Sequence, residues 1–92
     1  MSAEIERPRL AMGSRLAFDQ VRDRHILLFP EGALALNETA ATVLELCDGN
    51  RTIDDITAEL SAVYTETPVL RSDVEELIGS IAERGLVVDA AA

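Results

Sequence analysis

The chain has 92 residues, enough for one domain with a modest hydrophobic core. Its formal net charge is −9 and all eight basic residues are arginine, which is unfavourable for binding a phosphate backbone. No apolar stretch is long enough for a membrane span or built like a signal peptide, and a single cysteine cannot form an internal disulfide. We therefore expect one cytoplasmic domain over residues 1–92, with an ordered core at about 13–88, no nucleic-acid partner and no membrane association.

The first half of the chain has the periodicity of β-strands. Residues 15–20 alternate between apolar and polar side chains, and a polar turn at 22–24 precedes an unbroken apolar run at 26–29. These two segments are predicted to form a hairpin. A Pro-Glu-Gly turn follows, and residues 32–36 alternate alanine with leucine, the pattern of a strand with one covered face.

The next segment has helical periodicity. Asn37 is the predicted N-cap of a first helix that runs from Glu38 to about Asp48, and Gly49 is its predicted C-terminal stop. Apolar residues three and four positions apart form the face predicted to be buried: Ala40, Val43, Leu44 and Cys47.

A second helix is predicted to begin after Thr52 as its cap and to end near Tyr64. Two aspartates in its first turn suit the positive end of the helix dipole. Its predicted buried residues are Ile53, Ile56, Leu60, Val63 and Tyr64.

The third helix has two candidate starts. Thr67 can cap a helix with Pro68 in its first position, which we favour, or Ser72 and Glu75 can form a capping box. In either case Gly85 is the predicted stop. Its shared apolar face is predicted to comprise Val74, Leu77, Ile78 and Ile81.

The end segments carry weaker signals. Residues 86–88 are predicted to be a short apolar tail, and residues 2–13 and 90–92 to be loosely held ends. The order β-β-β-α-α-α with short connections predicts an α+β, winged-helix-like domain, in which a three-stranded antiparallel sheet is followed by three α-helices.

No group of residues has the spacing of a catalytic, cofactor or metal site. Cys47 lies on an apolar helical face and His25 has no partner histidine or cysteine, so both are expected to be structural. The acidic pairs at 54–55 and 75–76 are explained by helix starts, and the glycines lack the spacing of a phosphate-binding loop. We predict no enzymatic activity and no cofactor.

The third strand offers a different kind of site. No later strand of obvious strength is available to cover its second edge, so its unpaired N–H and C=O groups can bind an extended peptide. The third helix also offers more apolar positions than packing against the first two helices needs, namely Leu70, Val74, Leu77, Ile78 and Ile81. The residues predicted to bind a peptide are Ala33, Leu34, Ala35, Leu36, Asn37, Val74, Leu77, Ile78 and Ile81.

A set of short motifs spread over residues 13–88 resembles the D-protein family of pyrroloquinoline quinone (PQQ) biosynthesis, PqqD. The resemblance rests on Phe18-Asp19, Arg24, the LLFPEG turn, Leu36–Ala40, Leu44, Leu46–Gly49, Arg51–Ile53 and Arg84–Leu86. Members are peptide chaperones, the stand-alone form of the domain that recognises the leaders of modified peptides. The resemblance implies that the chain binds the precursor peptide PqqA and presents it to the radical S-adenosylmethionine (SAM) enzyme PqqE, which cross-links a Glu and a Tyr in it.

The sequence is compatible with three alternatives and with two assembly states. The chain can be a leader-binding protein of another modified-peptide pathway, a winged-helix DNA-binding regulator or a small enzyme. The acidic third helix disfavours DNA, and the lack of a catalytic constellation disfavours an enzyme. The uncovered strand edge and the apolar second strand allow either a monomer or a strand-exchanged homodimer.

Overall fold

The computed structural model describes residues 5–91. In chain order its elements are β1 (Pro8–Leu10), β2 (Arg15–Asp19), β3 (Arg24–Phe29), β4 (Gly32–Leu36), α1 (Glu38–Glu45), α2 (Ile53–Val63), α3 (Arg71–Glu83) and β5 (Val87–Asp89). The predicted three-stranded antiparallel sheet followed by three helices is confirmed. The strands β1 and β5 were not predicted, and they form a separate two-stranded ribbon.

The sheet has the order β2-β3-β4, and both pairs of neighbours are antiparallel. Leu16, Leu27 and Leu34 face each other across the three strands in one row of the register. Leu27 is fully buried, and Leu16 and Leu34 pack against the same core. Because side chains alternate along a strand, this row fixes which face of the sheet is turned toward the helices.

Helix α1 has the predicted start. The Asn37 side-chain oxygen accepts a hydrogen bond from the Ala40 N–H at 2.7 Å, which satisfies one of the free donors of the first turn. All four residues of the predicted apolar face are buried: Ala40, Val43, Leu44 and Cys47.

The predicted end of α1 is wrong, because the helix stops at Glu45 and does not reach Asp48. Asp48 forms a bridge with Arg9 of β1, and the Gly49 N–H donates to the Pro8 carbonyl at 2.9 Å. The segment after the helix is therefore held by β1. Gly49 has a positive φ of 84°, as expected of a helix stop, but it lies in the turn that follows α1 and does not end the helix itself.

Helix α2 is closed at its start by a reciprocal pair of hydrogen bonds. The Thr52 hydroxyl accepts from the Asp55 N–H at 3.1 Å, and the Asp55 carboxylate accepts from the Thr52 N–H at 3.0 Å. The helix buries Ile53, Ile56 and Leu60, whereas Tyr64 is only half-buried.

The prediction that Val63 is buried is wrong, since it is 67% exposed. Val63 is the last residue of α2 and lies at the margin of its buried stripe, so the core does not reach it. An apolar stripe read from periodicity does not show where the neighbouring helices end.

Both predicted starts of α3 are wrong. The helix begins at Arg71 with Leu70 as its N-cap, and no side chain makes a capping bond. The Leu70 carbonyl accepts from the N–H groups of Asp73 and Val74, and the Arg71 Nε donates to Asp54 of α2 at 2.6 Å. The start of α3 therefore has no side-chain cap and is marked by this exposed contact with α2.

Gly85 ends α3 as predicted, with φ of 76°. After it the chain does not leave as a tail. Val87–Asp89 pairs with Pro8–Leu10, and the Asp89 carboxylate accepts from the N–H groups of Glu6 and Arg7, both at 3.1 Å. The expectation of loosely held ends is therefore wrong for residues 8–10, while residues 2–4 and 92 lie outside the described part of the chain.

Candidate functional site: the β4 edge and the α3 cavity

Strand β4 is an edge strand of the sheet formed by residues 15–36. A two-residue turn joins Phe29 to Gly32, and bonded pairs alternate with non-bonded pairs along an antiparallel ladder. The N–H and C=O groups of Ala33 and Ala35 consequently point away from β3. These four backbone groups are available to another extended chain.

The side chains of β4 alternate between a face that packs on the core and an exposed face. Leu34 packs against the core and Leu36 is buried in it, while Ala33 and Ala35 are exposed on the opposite face. The two leucines hold the strand to the core. The small alanine side chains leave room for another chain to approach the open edge of β4.

A cavity of about 300 Å³ lies between the end of α2, the loop that follows it and the first turns of α3. Its lining is mainly apolar and comprises Thr39, Val43, Leu60, Tyr64, Thr67, Pro68, Val69, Leu70, Asp73, Val74 and Leu77. Thr39 lies only two residues after Asn37, the residue that follows β4. The cavity wall therefore includes the first turn of α1, the helix that directly follows the open strand.

The structure brings together only some of the predicted peptide-binding residues. Val74 and Leu77 line the cavity, and Leu77 is half-buried and accessible from it. Ile78 and Ile81 belong to the buried core and do not line the cavity. Asn37 is exposed beside β4, where its side chain caps α1.

Sequence reasoning missed several cavity residues because they lie outside regular elements. Thr67, Pro68 and Val69 form the loop before α3 and have no periodicity to identify them. Leu70 is one of the surplus apolar positions of the third helix but is not among the predicted peptide-binding residues, and its side chain is 55% exposed. An exposed leucine in a cavity wall is available for contact with a ligand.

The charged groups around the cavity are acidic. Asp73 is the only charged residue of its lining, and a shallow pocket next to it is lined by Asp73, Glu76, Leu77 and Ser80. Arg71 does not offset this charge, because its guanidinium group binds Asp54 and Glu75. The site therefore suits a ligand with apolar side chains and no carboxylate near Asp73.

Cys47 and His25, the side chains most capable of catalysis or metal binding, have structural roles. Burial, with a smaller effect of the Asp48 carboxylate, raises the pKa of the Cys47 thiol to about 12, and its sulfur donates to the Val43 carbonyl at 3.3 Å. His25 packs edge-on against the Phe18 ring, with ring centroids 5.0 Å apart.

Within residues 5–91 no group of three histidine, cysteine or acidic side chains is arranged to bind a metal ion. In the same range no helix has both the length and the apolar character needed to cross a membrane. The longest helix, α3, has 13 residues.

Comparison with known proteins agrees with this architecture. Residues 24–87 match the family model of coenzyme PQQ synthesis protein D (PqqD). A protein of Rhodopseudomonas palustris strain BisB5 named PqqA binding protein is 34% identical over 89 residues, which cover 96% of this chain and 87% of that protein. A protein of the same name from Stutzerimonas stutzeri is 38% identical over 77 residues, 84% of each chain.

The bifunctional coenzyme PQQ synthesis protein C/D of Methylorubrum extorquens is 37% identical over 78 residues. The match covers 84% of this chain but only 21% of that longer protein.

A solved structure has the same fold. It is the solution NMR structure of the PqqD truncation of Methylobacterium extorquens PqqCD, described as a functional stand-alone recognition element for ribosomally synthesized and post-translationally modified peptides. The TM-score is 0.78 at 32% sequence identity, with 96% of this chain and 95% of that chain covered. The family match over residues 24–87, the near full-length relatives and this shared fold together place the chain in the coenzyme PQQ synthesis protein D family.

Proposed function

We propose that the chain is a peptide chaperone of PQQ biosynthesis, which binds the precursor peptide PqqA and presents it to the radical SAM enzyme PqqE. The observation that carries this proposal is the open edge of β4 beside the apolar cavity of α3. The family membership and the names of the relatives support the choice of peptide.

Binding begins with addition of a strand to β4. An extended peptide exchanges main-chain hydrogen bonds with Ala33 and Ala35, which is independent of its sequence. Every second peptide side chain then points to the same side of the sheet as Leu34 and Leu36. That side faces the helices, so these side chains are directed toward the α3 cavity.

The cavity supplies the sequence preference. Leu70 and Leu77 offer accessible apolar surface, and each buried aliphatic anchor of the peptide contributes about 2 kcal/mol. Asp73 opposes a peptide with an acidic residue at this place, because an unpaired carboxylate beside it is repelled. A DNA ligand is disfavoured for the same reason.

The cross-linking chemistry belongs to PqqE in this proposal. The chain contributes position: a strand fixed on β4 has lost the conformational freedom that a free peptide has in solution. The enzyme therefore binds a peptide whose backbone conformation and direction are already fixed by β4.

Two matched substitutions test the placement of the peptide. Leu70→Asp puts a charge in the cavity wall, and aspartate at an N-cap favours the helix, so the fold is preserved. Val63→Asp is the control, since Val63 is similarly exposed but does not line the cavity. Calorimetric titration with PqqA should show at least about tenfold weaker binding for Leu70→Asp, the loss expected for one buried anchor, and little change for Val63→Asp. Equal affinities of the two variants would contradict this placement.

Reconstitution tests the division of labour. PqqA incubated with this chain alone should keep its mass, and the loss of two hydrogens that a carbon–carbon cross-link produces should require PqqE. A mass change without PqqE would show that the chain is an enzyme.

A further inference from the structure

The face of the sheet that is turned away from the helices has an apolar centre. This outer face comprises Ala17, Ile26, Leu28, Ala33 and Ala35, which share one side of the three strands by register. None of them belongs to the hydrophobic core or packs against it. Ile26 and Leu28, both half-buried, form a central ridge between the alanines of the two edge strands.

Two arginines flank this ridge. Arg15 lies in the same row as Leu28, and Arg24 lies two residues before Ile26, so both are on the outer face. Both are exposed. The ion pairs found within residues 5–91 involve neither of them.

The carboxylate opposite Arg24 in the strand register is already engaged. Asp19 is the register partner of Arg24, but its side chain accepts from the N–H groups of Val21 and Arg22 at 3.1 and 3.2 Å. Its second oxygen accepts from the Arg22 guanidinium at 3.5 Å. The two flanking arginines therefore keep their charge available to a partner.

The outer face also differs in charge from the rest of the chain. Residues 14–36 contain three arginines and three acidic residues and are neutral, so the whole net charge of −9 lies elsewhere. A partner attracted to this face by Arg15 and Arg24 is repelled by the helices. This difference favours one orientation of docking.

We propose that the outer face is the surface on which the peptide-modifying enzyme docks, through an apolar patch with acidic residues at its rim. The inference rests on the proposed function. A peptide strand added to β4 extends the same sheet, and its alternate residues continue the outer face beyond Ala33 and Ala35. A protein on this face therefore contacts the chaperone and the bound peptide together.

The experiment uses purified PqqE, PqqA and the full chain. The double variant Arg15→Glu/Arg24→Glu reverses both flanking charges at exposed positions and leaves the β4 edge and the cavity unchanged. The control is Arg84→Glu, which changes an exposed arginine that is also outside the ion pairs of residues 5–91, at the end of α3. PqqA affinity is measured first for all three proteins, and affinity for PqqE is then measured with PqqA bound.

We expect the double variant to bind PqqA normally and PqqE at least about tenfold more weakly, while the control binds both like the wild type. Wild-type binding to PqqE should also weaken as salt is raised. Normal binding of PqqE by the double variant would overturn the inference while the proposed function stands. Self-association of the wild type that the double variant loses would assign the face to a second copy of the chain, which also overturns it. Failure of the wild type to bind PqqA would refute the proposed function itself.

Discussion

Substitution of Ala35 by proline tests strand addition at a single hydrogen bond. The alternation of bonded pairs along β4 directs the Ala35 N–H to the open edge, and proline removes this donor. Proline is tolerated on an edge strand where the N–H faces solvent, and the preceding Leu34 already has the extended backbone that proline requires. The fold should therefore be kept.

The expected loss follows from the number of groups affected. One main-chain hydrogen bond is worth about 1 kcal/mol net, and a peptide carbonyl left without its donor raises the cost to as much as about 3 kcal/mol. The dissociation constant for PqqA should rise by about 5-fold to 150-fold. The control Ala35→Thr adds a side chain of similar bulk at the same exposed position but keeps the N–H.

Fluorescence anisotropy with labelled PqqA measures both variants, and circular dichroism verifies that each is folded. Ala33→Pro removes the other outward donor and should have an effect of the same size. Strand addition at β4 is refuted if Ala35→Pro is folded and binds PqqA as tightly as Ala35→Thr. In that case the peptide does not use the main chain of β4.

Three further predictions concern the fold. Burial raises the pKa of Cys47 to about 12, so its thiol should resist thiol reagents at pH 8 in the folded protein and react after unfolding in guanidinium. Rapid labelling of the folded protein would contradict the buried position of Cys47. Thr52→Ala should lower the free energy of unfolding by about 1 kcal/mol in urea titrations through loss of the capping box, and Thr65→Ala at an exposed loop position should leave it nearly unchanged. Hydrogen bonds from the N–H groups of Glu6, Ala91 and Arg7 lower the pKa of Asp89, so its contribution is present above the unfolded pKa of about 4 and is lost as pH falls below it. The stability difference between wild type and Asp89→Asn should therefore shrink between pH 7 and pH 3, and a constant difference would contradict this.

Local signals were sufficient for the parts of the fold that local interactions determine. The Asn37 and Thr52 caps each bond a residue three positions away, so sequence spacing alone identifies them. The hairpin of β3 and β4 is likewise closed by a two-residue turn. Alternation of alanine and leucine in β4 also gave the correct faces of the strand.

The missed features depend on contacts between distant parts of the chain. Pro8 pairs with Asp89 from the opposite end of the sequence, and neither short segment has strand periodicity by itself. The start of α3 has no side-chain cap for sequence spacing to identify, and Arg71 there contacts Asp54 of α2, 17 residues away. The cavity also depends on contacts between distant parts of the chain, because α1, α2, a loop and α3 each contribute part of its wall. Periodicity places Ile78 on the apolar face of the third helix, but it does not show whether the core or an open cavity lies against that residue.

Two properties of the chain oppose pairing of the open β4 edge with a second copy. Strand β4 has only five residues, which limits the number of hydrogen bonds a second copy can form. A net charge of −9 adds repulsion between two copies, whereas a small peptide without that charge approaches freely. Leu34 and Leu36 fix the strand before any ligand arrives, so little order has to be gained on binding. The short strand and the net charge therefore oppose pairing of this edge with another copy of the chain more than they oppose addition of a short peptide.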